Sequence, residues 1–260
     1  MRPHLITGPI RVLVGLLLAA SLTLPAPGAV AGAFTNWAAV VVAGDDHAHS
    51  GAHSEVFDNA RRDLVKALTA RGFSPDHVLQ FSLRPEGYPK EAVLRTDSTQ
   101  IVHRLETLTD TAKDGCLLYF TSHGSPDGVV VGRNNWTPNI MASVVDATCA
   151  DRPAVIIISA CFSGVFVPLL AAPNRMILTA ARPDRASFGC GEADRYTYFD
   201  GCVLQQISGA HDFAALGRAV QACVAKEEHD TGAAPASEPQ LEIGAALRPM
   251  LPLYAFSAPP

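Results

Sequence analysis

The sequence has no Cys-x-x-Cys pair, no run of basic residues, no internal repeat and no evident linker. Because structural zinc sites draw their cysteines from closely spaced pairs, the first absence argues against a zinc-stabilised fold. Without a basic cluster nothing would neutralise phosphates, so nucleic acid is not a predicted partner. The 260 residues, 48% of them hydrophobic, suffice for a large core, and we predict one folded domain.

The first 31 residues have the three parts of a secretory signal peptide. Two arginines accompany a 13-residue apolar run, 12–24, and the small residues around Ala31 form a cleavage site. The run is too short to span a bilayer comfortably, and no second stretch of spanning length follows. We therefore predict a signal peptide over 1–31 and a mature domain over 32–260. The alternatives are a retained membrane anchor and a buried N-terminal helix.

The predicted mature chain is acidic and keeps all six cysteines. It has 18 basic and 25 acidic residues, a formal net charge of −7. An exported chain, periplasmic or secreted, can oxidise its cysteines, and this one should have no stable membrane association. If one thiol stays free for chemistry, five remain and at least one more is unpaired. The pairing and the oligomeric state are not readable from the sequence.

Apolar runs and amphipathic periodicity alternate along the chain. We predict strands over 37–43, 77–83, 116–121, 155–159, 176–179 and 241–243. We predict helices from Ser54 to Gly72, over 97–112, from Pro138, over 196–207 and over 213–225. Strands that are apolar throughout, alternating with such helices, indicate an α/β fold with a mostly parallel sheet covered on both faces. Ligands of such sheets bind at the carboxyl ends of the strands.

Two of the predicted strands end in residues that carry chemistry. His123-Gly124 comes just beyond Thr121, and Cys161 comes just beyond Ser159. Neighbouring parallel strands lie under about 5 Å apart. If these two strands pair, His123 and Cys161 face the same crevice.

A thiol beside an imidazole is the arrangement that nucleophilic catalysis by cysteine needs. A free cysteine is only a few per cent thiolate near neutral pH, so a nearby base must take its proton. The imidazole can then protonate a departing amine. The backbone N–H groups of Gly124 and Cys161 are candidates for stabilising the oxyanion, and a glycine allows close approach of substrate.

Three segments resemble the motifs of one peptidase family. YFTSHGSPDG (119–128), IIISACFSG (156–164) and LTAARPDRASFGC (178–190) are similar to segments of the legumain-like cysteine peptidases, also called asparaginyl endopeptidases or haemoglobinases, which are related to the caspases. The chain resembles an exported, bacterial-type member. The resemblance implies a caspase-like three-layer sandwich with about six strands, and a peptide or protein substrate without cofactor or metal. It implies that Cys161 is the nucleophile, His123 the base, Gly124 an oxyanion donor and Ser187 a pocket residue.

The chain departs from this family where specificity is set. Legumains have an acidic residue two positions before the nucleophile, where this chain has Ser159. They also supply an Asn and an Arg from the loop after the first strand, and the corresponding loop here, 45–54, contains neither. The family's preference for Asn is therefore not predicted. A pocket lined by Ser159, Ser187 and Asp200 would take a polar or basic side chain.

Three other functions stay open at this point. The same thioester chemistry could transfer the acyl group to an amine, which would make the protein a transpeptidase or transamidase. The loop after the first strand holds five residues of metal-ligand type, so a metal-binding protein is a second alternative: Asp45, Asp46, His47, His49 and His53. A binding module without activity is the third, and the intact His123 and Cys161 argue against it.

Overall fold

The computed structural model describes Met1, His4 and residues 32–257 of the chain. Apart from Met1 and His4, the predicted signal peptide and its cleavage site lie outside the described residues and stay predictions. Among the described residues, none of the helices combines the length and the apolarity that crossing a membrane needs.

Strands and helices alternate along most of the described chain, as in an α/β fold. The strands are β1 (Trp37–Ala43), β2 (Val78–Ser82), β3 (Val93–Arg95), β4 (Gly115–Thr121), β5 (Gly124–Ser125), β6 (Gly128–Val131), β7 (Asn134–Trp136), β8 (Ala154–Ser159), β9 (Arg175–Thr179) and β10 (Gln240–Ile243). The α-helices are α1 (Val56–Ala70), α2 (Ser98–Thr109), α3 (Pro138–Thr148), α4 (Val167–Leu170), α5 (Tyr198–Gln206) and α6 (Phe213–Thr231).

The main sheet has seven strands in the order β10-β9-β8-β4-β1-β2-β3. All neighbours pair in parallel except β10, which runs antiparallel to β9. This confirms the predicted α/β class and the mostly parallel sheet. The count exceeds the predicted six because the three-residue β3 adds an edge strand, which is too short to leave a periodic signal.

Both faces of the sheet are covered, which confirms the predicted three-layer sandwich. In β1 every residue is buried, and alternate side chains enter opposite hydrophobic clusters. One cluster joins the sheet to α1, α5 and α6. The other joins it to α2, α3 and α4. Since a fully buried aliphatic side chain contributes about 1.5–3 kcal/mol, the central strands form a rigid base for the loops at their carboxyl ends.

A small second sheet follows β4. Its strands β5, β6 and β7 pair in antiparallel order, and Gly124 lies opposite Val129. The buried side chains of Val129 and Trp136 anchor this sheet in the hydrophobic cluster beneath it. The residues after His123 are therefore held against the core.

Candidate active site

The carboxyl ends of β4 and β8 bring the two predicted reactive residues to one edge of the sheet. The strands pair in parallel, with Thr121 opposite Ser159. The ladder continues one step further, because the Ser122 N–H donates to the Ser159 carbonyl at 3.0 Å. His123 comes two residues after Thr121, and Cys161 comes two residues after Ser159. Both therefore lie where ligands of parallel sheets bind.

A left-handed turn places the Cys161 thiol at the end of β8. Phe162, the next residue, has φ +57° and ψ +12°, a conformation that costs a non-glycine residue roughly 1 kcal/mol or more. Its N–H donates to the carbonyl of Arg185 at 2.8 Å, which holds the turn closed. The fully buried strand thus ends abruptly, and Cys161 emerges half-buried.

The segment after β9 lies against the Cys161 sulfur. The backbone N–H of Ser187 donates to Sγ at 3.3 Å, and the Ser187 hydroxyl lies 3.6 Å from it. The structure therefore places Ser187 beside the Cys161 sulfur, and its role as a pocket residue stays a prediction.

A backbone carbonyl fixes the orientation of the His123 ring. Nε2 of His123 lies 3.0 Å from the carbonyl oxygen of His47, so Nε2 carries the proton and donates. The ring also packs edge-on against Phe57, with centroids 5.1 Å apart. In the neutral imidazole this leaves Nδ1 as the nitrogen free to accept a proton. The His47 carbonyl was not predicted, since a main-chain acceptor has no sequence signature.

Gly124 and Cys161 approach each other closely. A Cβ added to Gly124 would lie 2.2 Å from the Cys161 carbonyl oxygen and 2.9 Å from the Cβ of Ala160. Only glycine fits between these two strand ends. The structure thus brings Gly124 and Cys161 together, and their role as oxyanion donors stays a prediction.

These residues form part of one open cleft of about 580 Å³. Phe162, Ala186 and Phe188 give it an apolar lining. Its other lining residues are His49, His123, Gly124, Cys161, Ser187, Gly189, Cys190, Gly191 and Asp194. A half-buried thiol, an oriented imidazole and a cleft beside them are the parts that thiol-based acyl transfer requires.

The model of the peptidase C13 family matches residues 39–218. The chain belongs to the peptidase C13 family. It is a cysteine-type peptidase, and the predicted resemblance to the legumain-like enzymes is confirmed. The caspase-like fold is confirmed as well: caspase-1 from Spodoptera frugiperda superimposes with a TM-score of 0.57 at 15% sequence identity, over 85% of this chain and 92% of the caspase. No curated protein sequence matches the chain.

Two of the predicted pocket residues lie beneath the cleft of this C13 peptidase. Ser159 is 1% exposed and its hydroxyl lies 3.2 Å from that of Thr197. Asp200 is 0% exposed, and neither residue lines the cleft that holds Cys161. Of the three predicted substrate contacts, the structure therefore brings only Ser187 to the cleft, and the roles of Ser159 and Asp200 stay predictions.

Asp200 instead joins β4 to α5. Its carboxylate accepts hydrogen bonds from the Tyr119 hydroxyl at 2.7 Å and the Thr121 hydroxyl at 2.6 Å, both on β4. Its own N–H donates to Thr197, the N-cap of α5, at 3.0 Å. Burial raises the pKa of Asp200, and the hydroxyl donors oppose that rise. The network holds the end of β4 against α5, and the sequence reasoning missed Tyr119, Thr121 and Thr197.

The candidate metal ligands after β1 are only partly brought together. Asp45, Asp46 and His47 have donor atoms within 4.8 Å of one another. His49 instead lines the cleft, and the Nε2 of His53 bonds to Glu55 at 3.0 Å. The hydrogen bond from His47 to Asp45, and then the charge of Asp46, raise the pKa of His47. Within the cluster, His47 pairs with Asp45 and Asp46. These contacts hold the backbone of His47, whose carbonyl orients His123.

A thiol mechanism and a metal-dependent mechanism predict opposite effects of a thiol alkylator and a chelator. We expect iodoacetamide to abolish peptide hydrolysis by alkylating Cys161, because the thiolate is the nucleophile. We expect EDTA to leave the rate within twofold of untreated protein. Initial rates on a fluorogenic peptide after each treatment, followed by dialysis, measure both effects. Loss of activity in EDTA with recovery on adding zinc would contradict the metal-independent thiol mechanism and favour a functional metal site.

Two cysteines of the peptidase are free. This agrees with the expectation that, if one of the six thiols stays free, at least one more is unpaired. Cys116 pairs with Cys149 and Cys202 with Cys223. Cys161 and Cys190 remain as thiols, and both line the cleft. Burial, and next the proximity of Cys161, raise the pKa of Cys190. A raised pKa lowers the fraction of Cys190 that is thiolate near neutral pH.

The disulfide pattern predicts a definite thiol count. Mature protein denatured without reductant should react with two equivalents of a chromogenic disulfide reagent, and with six after reduction. Cys190→Ser should lower the first count to one. An unreduced count near six would mean that neither disulfide forms, and a count near zero would mean that Cys161 is not free.

Proposed function

We propose that this cysteine peptidase is an endopeptidase whose catalytic dyad is Cys161 and His123. The observation that carries the proposal is the pairing of β4 with β8. It places an oriented imidazole and a half-buried thiol two residues beyond opposed strand ends. The cleft beside them is open, which suits the passage of a peptide chain.

In the proposed acylation, Cys161 attacks the scissile carbonyl. Nδ1 of His123 takes the thiol proton while the proton on Nε2 stays with the His47 carbonyl. A bond forms between Sγ and the carbonyl carbon, and the carbonyl oxygen becomes an oxyanion near the backbone N–H groups of Gly124 and Cys161. Collapse of this intermediate breaks the C–N bond. The imidazolium gives its proton to the departing amine, and a thioester remains.

In the proposed deacylation, a water molecule attacks the thioester carbonyl. His123 takes a proton from the water and returns one to the Cys161 sulfur as the C–S bond breaks. The acid product leaves and the thiol is restored. An amine that replaced water would give a new amide, which is the transpeptidase alternative.

We further propose that the peptidase acts outside the cytoplasm, in the periplasm or the medium. The signal-like segment before Gly32 supports this, as do two disulfides within a single chain. N-terminal sequencing of protein recovered from the periplasm and the medium, expected to begin at Gly32, tests the export and the cleavage together.

Cleavage of a diverse peptide library by mature protein, read by mass spectrometry, tests the proposed activity. We expect internal cuts that disappear in Cys161→Ala, since the nucleophile is lost, while its thermal unfolding matches that of wild type. A dipeptide amine added at millimolar concentration should yield few ligated products. Predominant ligation would replace endopeptidase with transpeptidase. Cuts that persist in a folded Cys161→Ala protein would overturn the proposed dyad.

A further inference from the structure

The cleft beside Cys161 has an apolar lining with a single carboxylate. Phe162, Ala186 and Phe188 contribute the apolar side chains. Asp194 is the only acidic residue of the described chain that lines this cleft, and no lysine or arginine of the described residues does so. An aliphatic stem would be covered by the phenylalanines, and a positive charge at its end would meet Asp194.

Asp194 is held in place, and its carboxylate has no salt bridge to the lysines and arginines that the structure describes. Its Oδ2 accepts a hydrogen bond from the Gly191 N–H at 2.7 Å, which fixes the carboxylate at the cleft. The neighbouring cation, Arg195, is engaged elsewhere: its Nη2 lies 3.2 Å from Asp63. Asp194 itself is exposed and remains available to a ligand.

Two contacts join the loop after β1 to the segment that carries Asp194. The His49 N–H donates to the Cys190 carbonyl at 3.2 Å, and the Ser50 hydroxyl donates to Glu192. His49 and Cys190 both line the cleft, so the first contact ties two of its walls together.

We propose that Asp194 makes the peptidase prefer a lysine or arginine at the residue that supplies the scissile carbonyl. The side chain of that residue enters the cleft because Cys161, whose sulfur attacks the carbonyl, lines it. Its stem packs on Phe162 and Phe188, and its cation lies at Asp194. The inference rests on the proposed function, and it assigns the specificity to a carboxylate outside the three residues predicted from the sequence.

Two chloromethyl ketones test this directly on the mature protein. They share a peptide and differ only in lysine or norleucine next to the reactive carbon. Sγ of Cys161 displaces chloride from each reagent, and intact mass gives the alkylation rate. We expect the lysine reagent to react about fivefold faster, the discrimination that one solvent-exposed ion pair provides.

The variants separate charge from shape. Asp194→Asn keeps an oxygen for the Gly191 N–H and should bring the two rates together. Asp194→Lys should make the lysine reagent the slower one. Asp76→Asn removes an equally exposed carboxylate away from the cleft and should keep the wild-type ratio. Equal rates in wild type, or an unchanged ratio in Asp194→Asn, would overturn the inference.

The outcomes also separate this inference from the proposed function. Selective labelling without peptide hydrolysis would keep Asp194 as the specificity residue and remove the endopeptidase proposal. Peptide hydrolysis with unselective labelling would keep the endopeptidase proposal and remove Asp194 as the specificity residue. A folded protein that neither reagent labels at Cys161 would overturn both.

Discussion

His123→Ala should lower the turnover of a peptide substrate by about 10²–10⁴-fold, the usual contribution of a positioned general base. KM should change little, because the side chain acts on protons and does not supply the main binding surface. His123→Gln is the sharper variant. Its amide can still donate to the His47 carbonyl that Nε2 now contacts at 3.0 Å, but it cannot accept a proton near neutral pH.

The control for these variants is His103→Ala, an exposed histidine on α2 that should keep wild-type turnover. Initial rates over a range of substrate concentrations separate turnover from KM, and thermal unfolding checks that each variant folds. Turnover within tenfold of wild type in both His123 variants would assign the base to another residue. Full activity in His123→Gln alone would mean that orientation, and not proton transfer, is what His123 provides.

The fold could be predicted largely because its core strands are apolar on both faces. β1, β4 and β8 are buried along their whole length, so continuous apolar runs marked them without ambiguity. Two helices begin close to their predicted starts because a side chain accepts their first N–H groups: Asp97 caps α2 and Thr137 caps α3. The first helix begins slightly late, since Glu55 and not Ser54 is its N-cap.

The missed features depend on contacts that periodicity does not record. Helix α6 was predicted to stop at Ala225 but continues to Thr231, where Gly232 ends it with φ +71°. Its last turns have few apolar residues. They are held by the Lys226–Asp230 pair and by Glu228, which accepts a hydrogen bond from the Ser237 N–H at 3.1 Å. Helix α5 conversely begins at Tyr198, two residues after its predicted start, because Thr197 caps it.

At the site, side-chain chemistry was predictable and the supporting contacts were not. The positions of His123 and Cys161 followed from strand ends and motif resemblance. The His47 carbonyl that orients the imidazole and the Ser187 N–H at the sulfur are main-chain groups, and any residue type could supply them. Burial of Asp200 beneath β4 required knowing where α5 packs, which no local pattern specifies.

Gly124→Ala should lower turnover about 100-fold, the cost of displacing reacting groups by roughly 1 Å. The added methyl would lie 2.2 Å from the Cys161 carbonyl oxygen. The chain after β4 and the turn at Cys161 after β8 must therefore move apart. Both belong to a rigid sheet, and the strain should also lower the free energy of unfolding by about 1–3 kcal/mol.

Gly87→Ala is the matched control, because no atom lies within 4 Å of the position its Cβ would take. It should keep wild-type turnover and stability. Denaturant unfolding and steady-state rates on both variants give the two quantities. If Gly124→Ala loses stability but keeps its turnover, the contact is structural and the two strand ends need not touch for catalysis. If it loses neither, the close approach of Gly124 to Cys161 is not present in the working enzyme.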